Sequence, residues 1–82
     1  MIARSLPTAI LLIDCSIGMD DRVIDELKKI PAVAYAYKLI GYHDIIVKVK
    51  SDSEEDLRKA ISRKIRTLDN ILSTITMVVL EK

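Results

Sequence analysis

An α+β fold, with a four-stranded antiparallel sheet and two helices on one of its faces in the order βαββαβ, is predicted by three features of this 82-residue sequence. Four short runs are apolar and β-branched. Two longer segments carry apolar residues at helical spacing between capping and charged residues. A glycine-centred joint, Gly41-Tyr42-His43-Asp44, sits between the two middle runs and reads as a hairpin turn.

The elements follow in order. Thr8–Asp14 (TAILLID) is short, continuous and apolar, which suits a strand buried on both faces. After Gly18, the pair Asp20-Asp21 can cap a helix to about Lys29, with Val23, Leu27 and Ile30 on one side and Lys28-Lys29 at the negative end of the helix dipole; Pro31 closes it. Val33–Ile40 carries Tyr35 and Tyr37 on one parity, and Asp44–Lys50 carries Ile45, Val47 and Val49 on one parity, so both read as strands. Ser53-Glu54-Glu55-Asp56 resembles a capping box, and Leu57, Ile61, Ile65 and Leu68 form the apolar stripe of a second helix reaching about Thr67. Asn70 can adopt the left-handed conformation that ends such a segment, and Leu72–Leu80 is β-branched enough for a last strand.

This order is the ferredoxin-like, split βαβ arrangement, with the first and third strands central and both helices on one face. The first and last strands are apolar at both parities, and two helices cannot cover both faces of a sheet. A second copy packing sheet against sheet would cover the other, so at least a homodimer is expected. Some of Asp14, Lys38, Lys48 and Lys50 must share that face, which makes the predicted interface a mixed one.

Composition narrows the function classes. Half the residues are hydrophobic, there is no Trp or Phe, and 13 Lys and Arg face 12 Asp and Glu. That balance lacks the basic excess of a protein that neutralises phosphates, which argues against direct nucleic-acid binding. The single cysteine, Cys15, allows neither an internal disulfide nor a two-cysteine metal or copper-chaperone site, and it fits a reducing cytoplasm. After Met1-Ile2-Ala3-Arg4 the apolar run Ala9–Ile13 is too short for a secretion signal, and no stretch reaches the roughly 20 apolar residues a membrane helix needs. No cofactor or metal site is expected. The basic stretch Arg58-Lys59 and Arg63-Lys64-Ile65-Arg66 follows acidic Asp52, Glu54, Glu55 and Asp56, a gradient that complements the dipole of a solvated helix.

The best constellation combines Gly41-Tyr42-His43-Asp44 with Ser73-Thr74-Ile75-Thr76. A free amino acid needs N–H or hydroxyl donors for its carboxylate and an anion or carbonyls for its ammonium. Gly41 permits close backbone approach, Asp44 offers the anion, Thr74 and Thr76 share a parity, and Tyr42 or His43 can line a side-chain pocket. Equally, Gly and Asp are ordinary turn residues and Thr an ordinary strand residue.

The run LKKIPAVAYAYKLIGYHDIIVKVKSDSEEDL, followed by IRTLDNILSTITMVVL, resembles the effector-binding (RAM) domain of the Lrp/AsnC, or feast/famine, transcription regulators. Pro31-x-Val33, Gly41-x-x-Asp44 entering a strand, and the Ser/Thr-rich opening of the last strand carry the resemblance. It implies dimers formed through the sheets, rings of dimers such as octamers, and an amino-acid effector held between dimers with contacts from Gly41, Asp44, Thr74 and Thr76. Family members usually carry a helix-turn-helix domain ahead of this one. Only seven residues precede the first strand here, so a single stand-alone domain over residues 1–82 is expected, acting alone or by joining full-length Lrp-like regulators. The family often has Tyr before the Asp where this chain has His43, and His titrates near neutrality. Two other classes stay open: a purely structural oligomerisation module, and a small enzyme using His43 and Asp44 as an acid/base pair. An ACT-type regulatory domain shares the predicted fold.

Overall fold

The computed structural model describes residues 6–80, so the Met1–Arg4 segment weighed above lies outside the described residues. The elements are β1 (Thr8–Cys15), α1 (Asp20–Lys28), β2 (Val33–Lys38), β3 (Ile45–Lys50), α2 (Glu54–Lys59) running into a π-helical turn (Ala60–Ile65), and β4 (Ile71–Val79). The sheet order is β2-β3-β1-β4 with every neighbouring pair antiparallel, so β3 and β1 are central and the fold is the expected ferredoxin-like α+β one.

Alternation fixes the two faces. Ala9, Leu11, Ile13 and Cys15 of β1, with Ile45, Val47 and Val49 of β3, are buried beneath Val23, Leu27 and Ile30 from α1 and its end and beneath Leu57, Ile61 and Ile65 from the second helix. Each fully buried Leu or Ile contributes about 1.5–3 kcal/mol, and these dominate a core this small.

Three local features differ from the expectation or refine it. The N-cap of α1 is Met19, without a side-chain cap; Asp20 and Asp21 occupy the first helical turn instead, because Gly18 at φ 79° turns the chain one residue earlier. There Asp20 Oδ1 accepts from the Asp21 N–H at 3.1 Å, and both carboxylates meet Lys38 Nζ at 3.7 and 2.7 Å. Lys38 therefore lies on the helix side and not on the bare face. At α2 the Ser53 hydroxyl accepts from the Asp56 N–H at 3.1 Å, which is one half of the capping box.

The second helix also widens, with the Arg66 N–H donating to the Ile61 carbonyl at 2.9 Å, five residues back. In a regular helix, apolar residues spaced by four drift by about 40° per step. One wide turn offsets that drift and lets Ile61 and Ile65 both reach the core. Asn70 then takes φ 71°, the left-handed conformation expected of it, and starts β4.

The helix layer covers β1 and β3 but stops short of β4. Thr74, Thr76 and Val78 lie opposite Ile13, Leu11 and Ala9, hence on the helix side, yet Thr76 and Val78 are exposed. On the opposite face Ile10, Leu12 and Ile46 stand beside Ile75, Met77 and Val79, which are roughly half exposed, and a stacked Tyr35–Tyr37 pair whose ring centroids are 5.1 Å apart. Asp14 and Lys48 share that face, Lys48 Nζ lying 6.0 Å above the Tyr35 ring. The mixed, uncovered face read from the sequence is present.

Candidate functional site

The joint between β2 and β3 is built by two backbone hydrogen bonds. Leu39 N–H donates to the Asp44 carbonyl at 2.8 Å, closing the loop, and Asp44 N–H donates to the Ile13 carbonyl at 3.1 Å, pinning it to β1. Between them Ile40 and Tyr42 point fully into solvent, and Gly41 sits at φ 140°, a conformation side chains rarely adopt, with open space around it.

His43 and Asp44 then part company. The Asp44 carboxylate turns toward the end of β1, where Oδ2 accepts from the Cys15 N–H at 2.9 Å. It borders a hollow of about 220 Å³ shared with Cys15, Ser16, Gly18 and Asp20. His43 turns to the other face, with Nδ1 3.2 Å from Asp14 Oδ1. With Asp44 bonded to the Cys15 N–H and His43 to Asp14, the two side chains have different partners and do not form the acid/base pair considered from sequence.

Asp14 is the centre of a cluster that the sequence did not signal. Ser73 Oγ donates to its Oδ2 at 2.9 Å, so His43, Asp14 and Ser73 link the loop, β1 and β4 on the bare face. The Ser73 hydrogen bond holds the Asp14 carboxyl below the usual carboxylate range; partial burial opposes this, while the hydrogen bond and charge of His43 and the Asp44 backbone assist it. Neighbouring Cys15 is displaced the other way. Burial raises its thiol first, and the Asp44 charge adds to that, so it is held protonated rather than activated as a nucleophile.

A depressed carboxyl pKa stabilises the fold above the unfolded value, near pH 4, and that contribution disappears as pH falls through the lower folded value. The expected outcome is that the melting temperature of Ser73→Ala falls less than that of the parent on acidification from about pH 6 to about pH 2.5. Equal acid sensitivity of the two proteins would place the origin of the depression elsewhere.

The two threonines lie apart from the loop. Thr74 and Thr76 sit on the helix side of β4, separated from β3 and its loop by β1. Thr76 opens into a groove of about 430 Å³ between β4 and the second helix, floored by Leu57, Ile61 and Val78 and edged by Glu54, Arg58 and Arg66. Within one copy, Asp44 and Thr76 therefore border different hollows. The groove was not legible from sequence, because it depends on how far the second helix extends over the sheet. The basic run divides accordingly, with Arg58 and Arg66 bordering this groove and Lys59, Arg63 and Lys64 bordering another hollow near Pro31. Among the described residues no group of three or more His, Cys, Asp or Glu is placed to hold a metal ion, and no helix is long and apolar enough to cross a membrane.

Comparison with known proteins bears on what such a scaffold does. The family model for the Lrp/AsnC ligand binding domain matches residues 8–82. The HTH-type transcriptional regulator YugG of Bacillus subtilis is 31% identical over 62 residues, which are 76% of this chain and 37% of YugG. The regulatory protein AsnC of Escherichia coli K12 is 36% identical over 56 residues, 68% of this chain and 37% of AsnC. The chain thus spans between about a third and a half of the length of the curated relatives it matches. Among solved structures, FFRP-DM1 superposes with a TM-score of 0.87 at 36% identity, covering 92% of this chain and 100% of that one. Escherichia coli AsnC superposes with a TM-score of 0.85 at 27% identity, covering 100% of this chain and 60% of that one. YugG is an HTH-type transcriptional regulator and AsnC a regulatory protein, and the chain belongs to the Lrp/AsnC ligand-binding domain family.

Proposed function

We propose that this domain is a non-enzymatic, cytoplasmic effector sensor that binds a free amino acid between copies of itself and transmits binding as a change in assembly. The observation that carries the reading is the family match across residues 8–82, which takes in both the Gly41-x-x-Asp44 loop and the Ser/Thr-rich opening of β4. In this reading Gly41 and its neighbours offer backbone N–H groups, Asp44 receives the ammonium, Tyr42 and His43 shape the approach, and Thr74 and Thr76 supply hydroxyls. The separation of Asp44 from Thr76 within one copy supports a site completed by a second copy. Dimers form through the exposed sheet face, where Tyr37, Ile75, Met77 and Val79 await cover, and dimers close into a ring such as an octamer. The output is exerted on Lrp/AsnC-type regulators that share the interface.

One observation favours a second reading, a structural oligomerisation module. The Asp44 carboxylate already has a structural task, accepting the Cys15 N–H at 2.9 Å. Thermal melts against the common amino acids separate the two readings. A ligand at about 100 times its dissociation constant stabilises by about 2.7 kcal/mol, a shift readily seen in a small domain.

The sensor reading expects such a shift with a few related amino acids and none with Asp44→Ala, which should remain dimeric. That variant should also lose about 1–3 kcal/mol by leaving the Cys15 N–H unpaired. A shift retained in Asp44→Ala would move the ammonium contact to another residue. A parent protein unmoved by every amino acid would favour the structural module.

A further inference from the structure

We infer that the hollow between the end of α1 and the second helix is a ligand site for a phosphate monoester with a compact apolar body. It shares no residue with the Gly41 loop, β4 or the bare sheet face, so the inference is independent of the sensor reading.

The basic run of the second helix reads from sequence as a solvated face, and the fold gives part of it a wall to line. Lys59, Ala60, Arg63 and Lys64 stand at three- and four-residue spacings from one another and so form one stripe of the helix. That stripe faces the end of α1 across a hollow of about 370 Å³, a volume within the range of small-molecule sites. The floor is apolar, with Ile30 and Ala60 only 8% and 7% exposed and Pro31 beside them. The far wall is held in place by the Lys50 N–H, which donates to the Ala32 carbonyl at 2.8 Å, and by the Ser51 N–H, which donates to the Pro7 carbonyl at 3.1 Å.

Three cations and one carboxylate border this floor. Lys59 Nζ lies 3.4 Å from Glu55 Oε1, so its charge is answered within the helix. Arg63 and Lys64 form no ion pair among the described residues. The helix dipole favours cations in a last turn, but it does not account for their bordering an apolar hollow. Asp56 lies about two turns nearer the helix start, and its charge confines an anion to the Arg63 end.

A phosphate monoester carries close to two negative charges at neutral pH and three strong acceptor oxygens. Arg63 can meet it with two parallel donors, Lys64 with a compact second charge, and the Ser51 hydroxyl with a further donor from the α1 side. The body of the ester then lies on Ile30, Pro31 and Ala60, where burial of apolar surface adds affinity that bare phosphate cannot gain. A carboxylate answers only one of the two charges. A long polyanion is disfavoured by the net charge of +1 on the whole chain.

The experiment is a calorimetric titration of phenyl phosphate, adenosine 5′-monophosphate, inorganic phosphate, adenosine and a single-stranded oligothymidylate into the parent protein, Arg63→Gln, Lys64→Gln and Arg22→Gln. All three positions are exposed, so no change disturbs the core, and circular dichroism confirms the fold of each variant. Phenyl phosphate or adenosine 5′-monophosphate should bind one per chain, at least tenfold more tightly than inorganic phosphate, and adenosine should not bind. Arg63→Gln and Lys64→Gln should each weaken that binding at least tenfold. Arg22→Gln, which removes the same charge near the start of α1, should alter it less than twofold.

Failure of both esters to bind the parent would overturn the site, as would equal binding of inorganic phosphate or adenosine. Equal weakening by Arg22→Gln would reduce the effect to overall charge and overturn it too. Tightest binding by the oligothymidylate would make the stripe a polyanion surface and overturn the small-ligand assignment. None of these outcomes involves an amino acid or the assembly, so the sensor reading stands or falls separately.

Discussion

Replacing Leu27 by alanine should lower the unfolding free energy by about 2–5 kcal/mol, enough to remove much of the stability of a domain this size. Leu27 is completely buried and projects from the last turn of α1 onto the sheet, within the cluster formed by Leu11, Ile13, Ile45 and Val47. Alanine would forfeit the transfer free energy of the lost side-chain atoms and leave a cavity that β1 and β3, hydrogen-bonded on both sides, cannot collapse to fill. The exposed neighbour Lys28 provides the control, since its replacement by alanine should stay within about 0.5 kcal/mol. Urea unfolding followed by circular dichroism checks both. A Leu27→Ala midpoint equal to that of the parent would mean that α1 does not pack on the sheet as described.

The second large effect concerns assembly. Ile75 lies opposite Leu12 on the bare face and is 47% exposed, so a charge there costs an isolated copy little. In a sheet-to-sheet dimer the same position is buried, and two-fold symmetry introduces the charge twice. An uncompensated buried charge costs about 3–5 kcal/mol, which corresponds to more than a hundredfold in dimer affinity. Sedimentation of Ile75→Glu at micromolar concentration should therefore show monomers with an unchanged far-ultraviolet spectrum. Persistence of the parent's assembly would move the interface off this face. The Asp14–Ser73–His43 cluster borders the same surface, so its polar groups should form the rim of the dimer and not its centre.

Most of the fold was legible because periodicity and punctuation agreed. Leu57, Ile61 and Ile65 announced the second helix, Ser53 its start and Asn70 the left-handed turn that leads into β4, and the parity of Ile45, Val47 and Val49 gave the buried side of β3. The widened turn at Ala60–Ile65 was not legible, since it arises from how the helix seats its apolar stripe on the sheet and not from any residue preference. Within the site, the sequence brought forward the Gly41 loop and the β4 hydroxyls but not their relation. Parity shows that Thr74 and Thr76 share a face. Only the register of β4 on β1, with a bulge between Asp14 and Cys15, decides that this is the helix side and that Ser73 falls beside Asp14. Arg66 read as part of a solvated basic face for the same reason: that it borders a groove depends on the gap between helix and strand.

The position of β1 between β3 and β4 has a kinetic consequence. Pairing Thr8 with Val79 closes a loop across almost the whole described chain, whereas β2 and β3 meet through a short turn. Long-range closures are entropically slow, so the β2–β3 hairpin with α1 should organise early and the docking of β4 last. During synthesis, one edge of β1 has no strand to pair with until residues 71–79 have emerged. For that interval the nascent domain presents an apolar strand edge, the kind of surface that chaperones bind and that aggregates extend.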